Sequence, residues 1–429
     1  MNIVYDNENV TVYYIPTSKF KNNVLDIYFC DKLDKETAYM NALIPRILER
    51  GSVKYPSMRI KTKFLKKMYG ASSYTGADTA GEIHLTNYTL DYVDGRYIRS
   101  NDYDEDIETI LFEYVIDQIT NPVVEDYDGT IGFKEEYFYQ EVKRQNEQIE
   151  NIINDKQQYA YNCLCEEMCK DEPYSVYYLG AVEDSKGLTP QYLYQYYKNH
   201  YLKNLSIKIF YSSSSSPDKL INILKSCPVF TEAKTKAVSI GYKEVTSCDV
   251  KEIQKAMDVT QGKLVMGYRT NVDPSSDDYY ALMITNGIFG NGTQSKLFRN
   301  VREANSLAYY AYSSTRRFKG LLFASSGIDV SNKEAAQKLI IQQLEDVKNG
   351  KISDDELNAA KNGLGNYLNS QYDTQYSLID FYLSQSFLDI KILEPAEFKE
   401  RINKVTKEEC ARIAQNIVLD TIFFLTSKD

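Results

Sequence analysis

The stretch Ala42-Leu43-Ile44-Pro45-Arg46-Ile47-Leu48-Glu49-Arg50-Gly51-Ser52 has a counterpart later in the chain, Ala281-Leu282-Met283-Ile284-Thr285-Asn286-Gly287-Ile288-Phe289-Gly290. Ala42, Gly51 and Gly81 recur as Ala281, Gly290 and Gly320, each pair separated by 239 positions (42 to 281, 51 to 290, 81 to 320). Both stretches are apolar helical runs that stop at a glycine. A chain that repeats itself at one long spacing is two copies of one domain. At 429 residues it also exceeds what one core usually serves, so two domains of about 200 residues fit its size.

The first copy opens with strand patterns over V-T-V-Y-Y-I and N-V-L-D-I-Y-F-C. Helices are predicted at 37–50 and 57–69, then strands at 71–77 and 82–92 turning at Ala80-Gly81. Helical periodicity returns at 107–120 and over the long Pro-free run 135–169. Thr189-Pro190 reads as a helix cap with proline in the first turn, and S-I-K-I-F-Y-S as a strand. The second copy replays this order. It has a strand at 262–269, helices at 277–289 and 295–303, and a hairpin of 306–314 with 320–328. Helices follow at 333–349 and 354–388, then the capping box T-K-E-E at Thr406–Glu409 and the strand D-T-I-F-F-L-T. The two caps, Thr189 and Thr406, are closer than 239 apart, so the first copy holds about 22 extra residues, expected around 125–132. The run Ser212–Ser216 follows a strand and precedes a helix, which makes it a tight loop. The expected class is α+β: two homologous domains, 1–231 and 257–429, joined by a linker at 232–256. Each is a mostly antiparallel sheet with helices packed on one face.

Composition excludes several functions. The chain is 43% hydrophobic and 26% charged with net charge −10, which suits a globular protein and argues against a nucleic-acid groove. No apolar run approaches the roughly 18 residues of a membrane helix. The first ten residues carry no basic and apolar leader, so a cytoplasmic location is expected. Seven cysteines without regular spacing make no disulfide framework. Cys163, Cys165 and Cys169 lie in a helical stretch, where positions two apart face different sides, and read as packing thiols. No G-x-S-x-G elbow or P-loop is present, and Gly290-Asn291-Gly292 is too short to cradle phosphate.

With this order of elements, G-N-G-T-Q-S-K-L-F-R-N-V-R-E-A-N-S-L-A-Y-Y (290–310) resembles the pitrilysin/insulinase superfamily of the mitochondrial-processing-peptidase type. L-E-R-G-S-V-K-Y-P-S (48–57) matches the stretch after that family's zinc motif, and Y-Y-L-G (177–180) follows a helical block as in the family. The resemblance covers nearly the whole chain. It implies two α+β domains per chain and two chains closing as a clamshell around a peptide.

The family's H-x-x-E-H places two histidines on one helix face for zinc and a glutamate to activate the bound water. Counted back from Gly51, its positions are held here by Ala42, Pro45 and Arg46, and the third ligand aligns with Gln148, flanked by Glu147 and Glu150. Alanine cannot ligate, arginine is always cationic and proline offers no base, so no metal is expected in this chain. The only two histidines, His84 and His200, lie far apart in sequence on different elements and are expected to be structural.

The resemblance implies a second kit, an arginine and a tyrosine seven residues apart that steady the oxyanion of the scissile carbonyl. Arg302 and Tyr309 match in type and spacing. The expected function is therefore the non-zinc subunit of a heterodimeric metallopeptidase. It would supply Arg302 and Tyr309 in trans to a zinc-bearing H-x-x-E-H homologue that cleaves peptides, with no hydrolysis by this chain alone. The alternative is a catalytically inactive scaffold or peptide-binding homodimer. Either way the partners are peptide and protein, with no nucleic acid and no membrane.

Overall fold

The computed structural model describes residues 1–7, 10–98, 106–232, 238–245 and 249–428. Of the predicted linker, 233–237 and 246–248 lie outside the described residues. The chain forms two compact units, Met1–Glu150 with Val176–Ser239, and Asn151–Ser175 with Ile240–Asp429.

The first unit is built on a six-stranded sheet of β1 (Asn2–Asn7), β2 (Val10–Pro16), β3 (Asn22–Lys32), β4 (Ser72–Ala80), β5 (Ile83–Val93) and β8 (Ser206–Ser213). The order is β1-β2-β8-β3-β5-β4, antiparallel throughout except where β2 runs parallel to β8. Alternation sets the register: Leu25, Ile27 and Phe29 of β3, with Ile207 and Ile209 of β8, turn one face into the core. Among the helices that cover that core are α1 (Ala38–Glu49), which contributes Leu43, Ile44, Ile47 and Leu48, and α3 (Ile107–Thr120), which contributes Leu111, Phe112 and Val115. Between α1 and β4 runs α2 (Met58–Lys67), capped by Ser57, whose hydroxyl accepts from the Ile60 N–H.

The expected extra residues of the first copy include a separate two-stranded hairpin, β6 (Val124–Tyr127) and β7 (Thr130–Phe133), immediately before α4 (Glu135–Asn151). The long helix predicted over 135–169 is broken. After α4 come one 3-10 turn (Ile152–Asn154) and Asp155, whose carboxylate accepts from the N–H groups of Gln157 and Gln158 and starts α5 (Lys156–Met168). Asp155 so bound to the backbone competes with helix continuation. The break matters for packing: α5 joins the second unit, where Ala160, Leu164 and Met168 meet Val265, Phe323, Phe423 and Leu425. A similar cap at Thr374 divides the predicted 354–388 helix into Asp354–Ser370 and Gln375–Ser386.

The second sheet contains β9 (Lys251–Ala256), β10 (Gly262–Arg269), β11 (Ala308–Arg316), β12 (Leu321–Ile328) and β13 (Val418–Thr426), ordered β11-β12-β10-β13-β9. That order repeats β4-β5-β3-β8-β2. Even the one parallel pair recurs, β9 with β13. Residues 251–256, assigned to the linker by sequence, thus form the edge strand equivalent to β2. Their charged pattern K-E-I-Q-K-A hid them, because one exposed edge strand needs little apolar surface. The repeat extends to turns and caps. Gly81 and Gly320 both turn their hairpins in the left-handed region (φ +61° and +63°), and Thr189 and Thr406 each accept the N–H three residues on. The chain is α+β, with mostly antiparallel sheets carrying packed helices, and α5 adds cover to the second sheet.

Candidate functional site

The α1 face that would carry a metal carries none of the needed groups. Ala42 is fully buried, Pro45 sits inside the helix, and Arg46 extends from its last turn. The Arg46 Nη2 donates to Gln148 Oε1 on α4 at 2.5 Å, so position 148 faces position 46, while Glu147 lies toward Lys143 at 3.8 Å. Zinc does not fit this donor set: a methyl group, a proline ring and a cation bonded to a neutral amide. Among the described residues, no group of three His, Cys, Asp or Glu is placed to hold a metal ion.

What these residues form instead is a polar cavity of about 330 Å³. Ala42, Pro45, Arg46 and Arg50 make one wall, Thr75, Gly76 and Ala77 of β4 a second, and Glu141 and Arg144 of α4 a third. The Glu141 carboxylate is buried and accepts from Arg50 Nη1 (3.2 Å) and Arg144 Nη1 (2.9 Å). Burial raises its pKa above the usual carboxylate value, with Arg144, Arg50 and Arg46 pulling the other way. Glu49 accepts from Thr75 Oγ1 (2.9 Å) and lies 3.8 Å from Lys61 Nζ. Both acids in the cavity are therefore matched by cations. Arg46 alone among the three arginines has no carboxylate partner among the described residues. Sequence reasoning missed Arg50, Glu141 and Arg144. The signal was their spacing, Arg50 four after Arg46, and Glu141, Arg144 and Gln148 on one α4 face.

The wall supplied by β4 is also an edge. It comes last in the order of the first sheet, beside β5.

In the second unit, Arg302 lies in the segment Leu297–Ala304, predicted as ordinary helix but wound as π-helix, a winding common at functional sites. Its exposed guanidinium rests over the Phe298 ring at 4.7 Å. Tyr309 is 55% exposed and sits where the β11–β12 register slips between Ala308 and Tyr310, a bulge that turns its side chain outward. Its hydroxyl donates to Asp329 Oδ1 (3.1 Å), which raises its pKa. No hydrogen bond joins Arg302 to Tyr309. β11, like β4, is an edge strand.

The two histidines, far apart in sequence, both adjoin Asp31. His84 is its cross-strand partner, and His200 Nε2 lies 2.9 Å from its Oδ2. Asn41 Nδ2 also donates to that carboxylate (3.0 Å), and Asn41 Oδ1 accepts from Tyr196, which ties the start of α1 to the sheet. The cluster is structural. The six described cysteines are buried or half-buried, and burial pushes the thiols of Cys165 and Cys169 up to about 12, a range that suits packing. Among the described residues no helix is long and apolar enough to cross a membrane.

The family model described as the peptidase M16 inactive domain matches residues 187–364. The probable inactive metalloprotease YmfF of Bacillus subtilis (strain 168) is 31% identical, over 97% of this chain and 95% of that protein. Among solved structures, a conserved protein from Enterococcus faecalis V583 superposes with a TM-score of 0.90 at 29% identity, over 98% of this chain and 97% of that one. A protease from Helicobacter pylori shares the fold, with a TM-score of 0.78 at 17% identity over 99% of each chain.

Proposed function

This chain belongs to the peptidase M16 family as an inactive metalloprotease homologue without a zinc site, and from that premise we propose that it is the non-zinc subunit of a two-chain peptidase. It works beside a zinc-bearing H-x-x-E-H homologue in the cytoplasm and supplies Arg302 and Tyr309 in trans. The observation that carries this reading is the condition of those two side chains. Both are exposed, Arg302 rests over the Phe298 ring, and Tyr309 is aimed outward by a bulge in an edge strand. A cation and a phenol so presented suit the growing negative charge of a scissile carbonyl, where a preorganised donor is worth about 100-fold or more in rate.

A second reading, a catalytically inactive peptide-binding scaffold, is favoured by the absence of zinc-ligating groups at Ala42, Pro45 and Arg46.

Cleavage of a mixed peptide library by this chain, by its zinc-motif homologue, and by both together separates the two. Hydrolysis confined to the mixture, and lost by about 100-fold with Arg302→Ala, supports the paired enzyme. A homologue whose rate ignores this chain rejects it.

A further inference from the structure

We propose that the outer face of α2 is a docking surface for an extended acidic segment of polypeptide, with Asp or Glu at alternate positions. This goes beyond the roles given to Arg302 and Tyr309. It rests on the peptide-handling reading above and names the class of peptide.

The helix M-R-I-K-T-K-F-L-K-K carries Arg59, Lys61, Lys63, Lys66 and Lys67 and no acid. Lys61 is buried, and its ammonium meets the Glu49 carbonyl (3.1 Å) and carboxylate (3.8 Å). The other four are exposed, and among the described residues none of them makes an ion pair. The helix has no need of all of them. Lys66 and Lys67 in the last turn suit the negative end of its dipole, but Arg59 stands in the first turn, where a cation is disfavoured. Arg59 and Lys63, and Lys63 and Lys67, are like charges four residues apart, which repel. An anion from outside the fold relieves that repulsion.

Spacing selects the anion. Arg59, Lys63 and Lys67 form one row, with members about 6 Å apart along the helix axis. An extended chain presents every second side chain on one side, about 6.6 Å apart, so acids at alternate positions meet the row in register. Arg59, Thr62, Lys63, Lys66 and Lys67 surround an open hollow of about 700 Å³ with Met58. Met58 and Ile60, exposed on opposite sides of the basic face, give the methylene groups of those acids apolar borders. Met58 also lines the cavity of Ala42, Pro45 and Arg46, which puts the docking face beside the degenerate site. In a chain of net charge −10, a short peptide follows the local field of these cations, whereas an anionic bilayer also meets the acidic remainder. That favours the peptide.

The test uses the full chain and two fluorescent nonapeptides capped at both ends. One has glutamate at alternate positions among glycine and serine, and the other has glutamine there. Fluorescence anisotropy should show the glutamate peptide binding about tenfold or more tightly, from three exposed pairs at about two- to threefold each. That preference should shrink as salt rises. Lys63→Gln with Lys67→Gln should cut it to about two- to threefold, and Lys63→Arg with Lys67→Arg should keep it. Both side chains are exposed, so urea unfolding of either double variant should match the native chain. Equal affinity of the two peptides, or a preference that survives Lys63→Gln with Lys67→Gln, overturns the docking face and leaves peptide binding in place. Failure of both peptides to bind overturns it as well, while the paired-enzyme reading is decided separately by the cleavage assay. Phosphatidylglycerol vesicles that sediment the native chain but not the Lys63→Gln, Lys67→Gln variant would assign the face to a membrane and overturn the proposal.

Discussion

Arg46 and Gln148, 102 residues apart in the chain, are joined by a hydrogen bond from the arginine guanidinium to the glutamine side-chain carbonyl. In the family pattern these two positions would be ligands of one zinc ion. Here a fixed cation has taken the metal's side of the contact and a neutral amide the ligand's.

The first prediction follows from that contact. Ala42→His, Pro45→Glu and Arg46→His together restore the helix motif but still leave the amide of Gln148 where a carboxylate is needed. Adding Gln148→Glu completes the set. Elemental analysis after dialysis should find about one zinc per chain in the fourfold variant and clearly less in the threefold one, since zinc sites of this type need three protein ligands. Equal metal content in both would show that position 148 is not the third ligand position.

A second prediction concerns the repeat. Gly81 and Gly320 hold equivalent turns in the left-handed region, which costs a residue with a Cβ about 1–2 kcal/mol. Gly81→Ala and Gly320→Ala should each lower the urea midpoint. At Gly320 the added Cβ would also lie 2.7 Å from the Tyr242 ring, a further cost there. Asn at either place should be milder, since asparagine tolerates this conformation. Equal, negligible shifts would refute the shared constraint.

That repeat was legible in the sequence because apolar periodicity and turn glycines are local signals. Ile107–Thr120 and Gly262–Arg269 have the predicted bounds. What escaped the sequence was decided by tertiary packing. The helix over 135–169 breaks at Asp155 so that Leu164 and Met168 reach the second sheet, a gain no local pattern announces. Lys251–Ala256 is a strand because β13 offers it hydrogen bonds, and its own composition gives no such hint. The degenerate positions on α1 were readable one by one. Their shared cavity with Arg50, Glu141 and Arg144 was not, because α4 begins 86 residues after α1 ends and only folding brings them together.

A third prediction is a pH dependence. Burial lowers the pKa of His84 to about 4, with Asp31 opposing in part, so the folded chain keeps this ring neutral. Above about pH 6.5 the ring is neutral folded or unfolded, and it contributes no pH dependence. Between about 6.5 and 4 only the unfolded chain binds the proton, so stability falls with acidification, by about 3 kcal/mol in all, and then levels off. Urea unfolding at several pH values should show this slope in the native sequence and a flatter one in His84→Leu. Parallel slopes would mean that His84 is not the group responsible.

The last prediction concerns a buried ion cluster in the second unit. Arg269 lies between Glu172 (2.8 Å) and Asp420 (2.9 Å), Lys319 binds the same Glu172, and Arg269 Nη2 also donates to the carbonyl of Met168 (2.9 Å). Burial raises the Glu172 carboxyl, but hydrogen bonds from Lys319 and Arg269 outweigh it and hold the pKa below the ordinary value. Its ionised form therefore stabilises the fold above the ordinary glutamate range, and that contribution is lost as pH falls below it. Removing the carboxylate takes away the anion that Arg269 and Lys319 share, a loss of about 3–5 kcal/mol for a broken buried pair. Glu172 stands just beyond α5, so the cluster pins the segment 151–175 to the second sheet. Glu172→Ala should speed amide exchange in α5 far more than in α1, and Glu172→Gln should do so nearly as much, since the charge is what is missing. Unchanged exchange in α5 would show that apolar packing of Leu164 and Met168 holds the helix without help from the ions.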